Sequence, residues 1–152
     1  MVEVTGDLWT YRLPDGSKPD IRVITTNGTI KNNGECVMGR GCAAEANARY
    51  PGLAKGLGYA ISISGNRAFL LPLPNSSENI LTFPVKHNWF NKADLVLIAN
   101  SAKDLVVYAD YWLWKVIVLP RPGCGNGHLD WKDVKLVLAP ILDDRFHVIT
   151  FA

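Results

Sequence analysis

The feature that most constrains the fold is a repeated order of strand, glycine-rich loop and helix. Residues 22–27 (RVITTN) are rich in β-branched side chains and predict a strand, a glycine-rich stretch follows, and residues 42–50 have the composition of a helix. The order recurs where the apolar run 115–120 (KVIVLP) leads into the loop RPGCGNGHL, after which Asp130 is placed to cap a helix. Strands that alternate with helices predict an α/β fold with a mostly parallel or mixed sheet.

The rest of the chain supplies further elements of the same two kinds. Additional strands are predicted at residues 59–64, 67–73, 80–85 and 145–151. The Gly65-Asn66 pair predicts a hairpin turn between the first two of them. Apolar residues recur at helical spacing over residues 91–110, with Asn91 as the expected N-cap and Asp94 three residues on. Pro140 is expected to kink or end the helix that follows Asp130.

Length and composition indicate one soluble globular domain over residues 1–152. A chain of 152 residues can bury a full core, and 48% hydrophobic with 20% charged residues is ordinary for this class. The net charge of +2 comes from lysines and arginines scattered along the chain. This distribution argues against a broad DNA- or membrane-binding face and leaves room for a small anion pocket. A monomer is the default expectation.

The cysteines and the amino terminus indicate a cytoplasmic protein. Cys36, Cys42 and Cys124 are an odd number without CxxC spacing, so neither a disulfide framework nor a zinc site is expected. A reducing compartment fits this usage. The first residues do not form a signal or transit sequence, and no apolar run approaches the ~18 residues that a spanning helix needs.

The two glycine-rich loops are candidates for phosphate binding. Each follows a strand of the predicted sheet, so both are expected at the edge where the strands have their carboxyl ends. Backbone N–H groups at a glycine-rich helix start bind anions, and two such loops suit a diphosphate. Glycines that serve turn geometry alone are the alternative for each loop taken singly.

The nucleotide motifs of other fold families fit less well. Residues 39–44 (GRGCAA) match G-x-G-x-x-A, but some twelve residues separate them from Asn27, and no acid follows at the spacing that a dinucleotide fold requires. A nicotinamide-dinucleotide protein is therefore disfavoured. The chain has no G-x-x-x-x-G-K-[ST], which excludes a P-loop.

Four segments in order resemble the macrodomain family, whose members bind ADP-ribose. They are Gly6-Asp7-Leu8, Thr25-Thr26-Asn27, the run from Asn33-Gly34 to Met38-Gly39-Arg40-Gly41, and Pro122–Trp131, which contains Gly123-Cys124-Gly125-Asn126-Gly127. The forms of the two loops are similar to the branch that includes terminal ADP-ribose glycohydrolases and DNA-ADP-ribosyl glycohydrolase antitoxins. Small phage and bacterial proteins share this pattern. The likeness runs from about Gly6 to Phe151 and implies a three-layer α/β/α sandwich with a central mixed sheet.

The resemblance also implies roles for individual residues. Asp7 would accept a hydrogen bond from the adenine amino group, with Leu8 beside it. Asn27 and Asn33 would contact ribose hydroxyls, and Arg40 would contact a phosphate. Met38, Gly39 and Gly41 would wrap the distal ribose. The diphosphate would bind the residues Gly123, Cys124, Gly125, Asn126 and Gly127.

A catalytic residue is implied by the segment FPVKHNW. It resembles the (T/V)-K-x-x-W setting of the branch, in which Lys86 would act at the anomeric carbon of the distal ribose. A lysine is a nucleophile only as the neutral amine, so burial or a nearby cation would have to lower its pKa. Alternatively a charged Lys86 would steady the leaving group or a phosphate, and a surface lysine at a strand end is the structural alternative.

The chain departs from the terminal ADP-ribose glycohydrolases at Gly127, where those enzymes have an aspartate that partners the lysine. The antitoxin-like enzymes also have glycine there. The implied ligand is ADP-ribose or an ADP-ribosylated macromolecule, including nucleic acid, with no metal, other cofactor or membrane. The activities that fit are hydrolysis of an ADP-ribosyl linkage, non-catalytic reading of ADP-ribose, and dephosphorylation of ADP-ribose 1″-phosphate.

Side chains next to the two loops have ordinary structural alternatives. Asp7 is also typical of a turn, and asparagines such as Asn27 and Asn33 are common in turns. We expect Cys124 to be a small packing residue rather than a nucleophile. His87 and His128 are expected to be structural or solvent-facing. The tryptophans Trp89, Trp112, Trp114 and Trp131 are expected to pack the core or its rim.

Overall fold

The computed structural model describes residues 1–151, which form six strands and four helices. The strands are β1 (Val2–Thr5), β2 (Ile21–Asn27), β3 (Phe69–Pro72), β4 (Asn79–Lys86), β5 (Ile117–Pro120) and β6 (Phe146–Thr150). The helices are α1 (Cys42–Arg49), α2 (Leu53–Ser64), α3 (Leu95–Trp112) and α4 (Trp131–Leu138). Within these residues, none of the helices is both long and apolar enough to cross a membrane.

The strands form one mixed sheet in the order β1-β6-β5-β2-β4-β3. Strand β3 pairs with β4 in antiparallel fashion, and every other pairing is parallel. The amino acids alternate between the two faces of the sheet: Val23 packs with α3 and α4, whereas Ile24 packs with α1 and α2. The helices therefore cover both faces, and the predicted α/β/α sandwich with a mixed sheet is confirmed.

The expected strand at residues 59–64 is wrong, and so is the hairpin turn at Gly65-Asn66. These residues are the second half of α2, and Gly65 follows the end of that helix. Isoleucine and tyrosine favour a strand locally, but the buried residues of α2, from Leu53 to Ile61, recur at helical spacing. Packing against the sheet decided between the two patterns.

Two smaller differences concern the ends of elements. Asp94, rather than Asn91, is the N-cap of α3, because Asp94 Oδ1 accepts hydrogen bonds from the N–H groups of Val96 (2.8 Å) and Leu97 (3.4 Å). Asn91 Oδ1 instead accepts from the N–H of Asn88. Strand β1 was not predicted from the sequence, since most of its side chains are exposed at the edge of the sheet.

A tight contact between α2 and the first glycine-rich loop holds that loop in place. The N–H of Cys36 donates to the carbonyl oxygen of Ala54 at 2.9 Å. A Cβ atom on Gly58 would overlap the carbonyl oxygen of Gly34 and lie 2.9 Å from the nitrogen of Cys36. The helix therefore needs a residue without a side chain where the loop crosses it.

We expect Gly58→Ala to lower the free energy of unfolding by about 1–3 kcal/mol, because the added methyl group displaces backbone atoms of the loop. Gly56→Ala is the matched control in the same helix, since a Cβ there meets no atom within 4 Å. Its expected effect is a gain of about 0.5–1 kcal/mol from the higher helix propensity of alanine. Urea denaturation at equilibrium measures both, and equal effects of the two variants would refute the contact.

Candidate functional site

The parallel strands bring the predicted site residues to one edge of the sheet. Strands β1, β2, β4 and β5 all run in the same direction, so the chain leaves each of them at the edge formed by their carboxyl ends. Asp7 follows β1, residues 28–41 follow β2, Lys86 ends β4, and residues 121–130 follow β5. The edge therefore collects the segments that the sequence singled out.

The first loop is anchored by the buried side chain of Asn27. Its Nδ2 donates to the carbonyl oxygen of Val37 at 2.8 Å, and its Oδ1 accepts from the N–H of Thr29 at 3.0 Å. The amide thus ties together the two ends of the loop. Its predicted contact with a ribose hydroxyl stays a prediction and would use the remaining hydrogen and lone pair of the amide.

The far end of this loop exposes backbone at the start of α1. Met38 is buried among the residues that pack under α1 and α2, whereas Gly39 and Gly41 are exposed. Gly39 and Gly41 have φ values of 57° and 73°, which glycine adopts without strain. Arg40 lies exposed between them. The loop therefore presents main-chain groups flanking one arginine.

Helix α1 begins at this edge without a side-chain cap. Its N-cap is Gly41, and no side chain hydrogen-bonds to the first turn. Asp94 and Asp130 cap α3 and α4 with carboxylates, so the predicted cap at Asp130 is confirmed. The uncapped N–H groups of α1 can bind an anion, because the positive end of the helix dipole faces it as well.

The second loop is closed by its own backbone. The N–H of His128 donates to Gly125 and that of Leu129 donates to Gly123, at 3.1 and 2.9 Å. Within residues 1–151, no hydrogen bond is donated by the N–H groups of Gly125, Asn126 or Gly127. This loop therefore offers three successive main-chain donors to an anion.

The two loops meet each other. A Cβ atom built on Gly41 would lie 3.5 Å from Nδ2 of Asn126. The uncapped start of α1 therefore lies next to the second loop, at the edge of the sheet where the sequence predicted both loops.

Lys86 lies beside Asn27 at the end of β4. The two residues are paired in the sheet, one position beyond an irregularity in the register of β2 and β4. Lys86 is partly buried, and its Nζ donates to the carbonyl oxygen of Trp89 at 3.3 Å. The lysine thus reaches along the segment that follows β4.

His87, directly after Lys86, is bound to the cap of α3. Its Nε2 lies 2.8 Å from Oδ2 of Asp94, and this hydrogen bond is the main cause that lowers the pKa of Asp94. His87 therefore holds the segment after β4 against the start of α3, in agreement with its expected structural role.

Asp7 uses one carboxylate oxygen and leaves the other free. Oδ1 accepts a hydrogen bond from the N–H of Trp9 at 2.7 Å. This bond forms a turn, which was the structural alternative predicted for Asp7. Within residues 1–151, Oδ2 accepts no hydrogen bond. Leu8 is buried, and its carbonyl oxygen accepts from Nε of Arg22. The turn and a ligand contact are therefore compatible.

Asn33 has contacts within its own turn. Its Nδ2 donates to Oε1 of Glu35 at 2.7 Å, and its Oδ1 accepts from the N–H of Glu35. The turn packs on α2 at Gly58. The predicted contact with ribose stays a prediction for this exposed residue.

Cys124 has the properties of a packing residue. Burial raises the pKa of its thiol to about 11, and its Sγ lies 3.5 Å from the carbonyl oxygen of Pro122. Burial also raises the pKa of Cys42 at the start of α1. Neither thiol is poised as a thiolate, which agrees with the expectation for Cys124.

Sequence reasoning missed the residues that support the segment after β4. Nδ2 of Asn66 donates to the carbonyl oxygen of Lys86 at 3.0 Å, and Oγ1 of Thr29 accepts from the N–H of Trp89 at 3.0 Å. No local pattern marks these contacts, because they join residues 20 and 60 positions apart. The expected packing role is wrong for Trp89 and Trp112, which are 56% and 52% exposed, while Trp114 and Trp131 pack against the core.

Two cavities lie elsewhere on the molecule. Their volumes are about 150 and 250 Å³, and both are lined by Arg22 and Asn79 near the amino ends of β2 and β4. Neither contains a predicted site residue. Within residues 1–151, no group of three or more histidine, cysteine, aspartate or glutamate side chains could hold a metal ion.

No family model matches the chain. Comparison with individual sequences finds relatives that all carry the same enzyme name. The chain is 28% identical over 104 residues to the DNA ADP-ribosyl glycohydrolase of Mycobacterium tuberculosis, which is 65% of this chain and 30% of that protein. It is 36% identical over 56 residues to the DNA ADP-ribosyl glycohydrolase of Thermus aquaticus, which is 37% of this chain and 16% of that protein. The chain thus spans less than a third of the length of the curated relatives it matches.

Comparison of structures covers nearly the whole chain. The macrodomain of Mycobacterium tuberculosis DarG has a TM-score of 0.78 at 26% identity, over 97% of this chain and 95% of that one. The macrodomain of Thermus aquaticus DarG has a TM-score of 0.76 at 25% identity, over 99% and 97% of the two chains. Thermosipho africanus DarTG in complex with ADP-ribose shares the fold, with a TM-score of 0.75 at 20% identity over 97% of this chain and 41% of that one.

The cap formed by Asp94 leads to a prediction about stability. Asp94→Ala should lower the free energy of unfolding by about 1 kcal/mol through loss of the N-cap. Asp94→Asn keeps a capping oxygen and is expected to cost less. The pKa of Asp94 is lowered in the folded state, so its contribution is complete above the unfolded pKa of about 3.9 and is lost as the pH falls through the lower folded value.

Denaturation of the three proteins between pH 7 and pH 2.5 tests this assignment. The difference between wild type and Asp94→Ala should shrink at the acid end. A difference that is constant over this range would show that the carboxylate does not carry the cap.

Proposed function

The chain belongs to the macrodomain family, in the branch of the DarG macrodomains, and on this premise we propose that it binds ADP-ribose and hydrolyses an ADP-ribosyl linkage on DNA. The proposal rests on the arrangement of the site residues along the edge of the sheet. The names of the matched relatives supply the DNA-linked substrate.

The strand order carries the proposal, because it matches the order of chemical groups in ADP-ribose. Asp7 follows the outermost strand β1, the two glycine-rich loops follow the central strands β5 and β2, and Lys86 ends β4. Four strand spacings of about 4.8 Å separate β1 from β4, or about 19 Å in all. An extended ligand would meet Asp7 with its adenine, the loops with its diphosphate and Lys86 with its distal ribose.

The diphosphate would bind where the two loops meet. The uncapped start of α1 supplies N–H groups on one side, and Gly125, Asn126 and Gly127 supply main-chain donors on the other. Glycine lets the phosphate oxygens approach this backbone closely. Arg40, which is exposed, would add a positive charge from the solvent side.

Lys86 would act on the bond between the anomeric carbon and the attached group. Hydrolysis breaks this bond, joins the oxygen of water to the anomeric carbon and transfers a proton to the leaving group. Lys86 can serve as a cation that steadies the departing group, or as a neutral amine that attacks the carbon. The hydrogen bond from Nζ to the carbonyl oxygen of Trp89 is compatible with both roles, because either form of the amine can donate it.

The second loop leaves no room for the aspartate of the terminal ADP-ribose glycohydrolases. A Cβ atom on Gly127 would lie 2.5 Å from the carbonyl oxygen of Gly123 and 2.8 Å from Cβ of Ala93. An aspartate would therefore require the loop to rearrange. We propose a mechanism that depends on Lys86 without a carboxylate partner at residue 127.

A reader that binds ADP-ribose without turnover is the second candidate. It is favoured by the same bond to Trp89, which turns the amine of Lys86 toward the protein. Measurement of turnover separates the two functions.

Lys86→Ala should reduce hydrolysis of ADP-ribosylated single-stranded DNA by at least about 100-fold, as expected for loss of a group that acts in the transition state. Its affinity for ADP-ribose in calorimetry should stay within about threefold of the wild-type value, which we expect to be micromolar or tighter, ~8 kcal/mol. Lys103→Ala, an exposed lysine of α3, is the control and should change neither quantity.

Other outcomes would change the proposal. If the wild-type protein binds ADP-ribose but hydrolyses no substrate, the second candidate function, a reader of ADP-ribose, would be the one supported. No binding of ADP-ribose, or tighter binding of NADH, would remove the proposed site. A hydrolysis rate that rises with pH would favour the neutral amine of Lys86, and one that falls would favour the cation.

Asp7→Asn tests the adenine contact without breaking the turn. The asparagine can still accept from the N–H of Trp9, but it replaces the free oxygen with an amino group. We expect affinity for ADP-ribose to fall about tenfold or more, which is 1.4 kcal/mol. Affinity for an analogue with hypoxanthine in place of adenine should rise, because its carbonyl group accepts a hydrogen bond. Equal losses for both ligands would assign Asp7 to the turn alone.

A further inference from the structure

We infer that Trp89 and Phe90, the aromatic pair, stack on an unpaired nucleobase of the DNA strand that carries the ADP-ribosyl group. This inference rests on the proposed function and names the part of the substrate beyond ADP-ribose that the site would recognise.

The aromatic pair is exposed and contributes little to the hydrophobic core. Trp89 is 56% and Phe90 67% exposed, and neither belongs to the packed clusters on the two faces of the sheet. Their ring centroids are 5.8 Å apart with an angle of 90° between the planes. Two large rings at an open edge offer π-faces to a ligand, and every nucleobase has a matching face.

The segment that bears the aromatic pair is held by hydrogen bonds. The N–H of Trp89 donates to Oγ1 of Thr29 at 3.0 Å, and Oγ1 of Thr29 donates to Oδ1 of Asn88 at 3.3 Å. The N–H of Asn88 donates to Oδ1 of Asn91, and the N–H of Asn91 donates to the carbonyl oxygen of Asn88, both at 3.1 Å. The backbone that bears the rings is thus held in place before a ligand arrives, which lowers the entropy lost on binding.

The aromatic pair adjoins the proposed reaction centre. Nζ of Lys86 contacts the carbonyl oxygen of Trp89 at 3.3 Å, so the amine of the lysine lies next to the backbone of the aromatic pair. If Lys86 acts as the cation that steadies the departing group, that group leaves on the side of the lysine. The substrate beyond the bond that breaks would therefore lie against these rings.

The local charge favours a nucleic acid as the occupant. Residues 86–92 (KHNWFNK) contain two lysines and no acid. The nearby carboxylate of Asp94 is bound to His87 and to two N–H groups of α3. A strand of DNA brings phosphates to the lysines and bases to the rings, and the base must be unpaired because a duplex hides its faces.

The test compares two pairs of exposed aromatic residues. Trp89→Ala with Phe90→Ala removes the aromatic pair. Tyr111→Ala with Trp112→Ala is the matched control, because these rings are 75% and 52% exposed, 5.1 Å apart, and lie at the opposite end of α3. The ligands are free ADP-ribose, an ADP-ribosylated single-stranded oligodeoxynucleotide and an ADP-ribosylated peptide, each measured by equilibrium binding and by turnover.

Loss of the aromatic pair should weaken binding of the oligodeoxynucleotide, and raise its KM, by about tenfold or more. Its kcat, the affinity for ADP-ribose and the behaviour toward the peptide should stay within about twofold, and the control should match wild type throughout. Trp89→Phe alone should keep most of the affinity, because it keeps a ring.

Three results would overturn the inference. These are an unchanged affinity for the oligodeoxynucleotide, an equal loss for the oligodeoxynucleotide and the peptide, or an equal loss in the control. If wild type binds ADP-ribose while any of these holds, the inference alone fails. If wild type does not bind ADP-ribose, the proposed function fails first.

Discussion

The parallel pairing of β2 with β4 and β5 is the constraint on which the site depends. It brings the ends of three central strands to one edge, and their loops meet because the strands do. The register of β2 and β4 shifts between Thr26 and Asn27, opposite the part of β4 that contains Pro84, which has no N–H to donate. The carbonyl oxygen of Pro84 accepts from Oγ of Ser101 at 2.7 Å, so α3 secures the strand at this point. Beyond the shift, Asn27 and Lys86 are neighbours.

The helix starts at this edge differ in a way that concentrates affinity for anions. Carboxylates cap α3 and α4, and they satisfy N–H groups that a ligand would otherwise use. Helix α1 starts at Gly41 without such a cap, and the second loop supplies further donors across from it. In the proposed complex, a protein with a net charge of only +2 would bind the diphosphate through its backbone, without a broad basic surface.

Several elements were predictable because their signals are local. Helix α4 begins after Asp130 and helix α1 spans residues 42–49, as composition and capping indicated. The prediction of a strand at residues 59–64 was wrong because the local β preference of these residues disagrees with the helical spacing of the residues that become buried. That spacing has an effect only when α2 packs against the sheet. The resemblance carried the choice of site residues, since glycines and a lysine at a strand end are individually common. The resemblance could not reveal that the side chain of Asn27 hydrogen-bonds to its own loop, or that Asp94 caps α3.

The sequence by itself determined which two segments are suited to a phosphate ligand, because glycine content and small helix formers are properties of the chain. The family resemblance added Asp7 and Lys86. Only the tertiary structure decided that Asp7 and Lys86 share one edge with the two loops, that the start of α1 stays uncapped, and that the aromatic pair lies exposed beside Lys86. Strand order, register and burial depend on contacts between residues far apart in the chain. Local pattern therefore specifies the chemistry of each segment but not which segments meet.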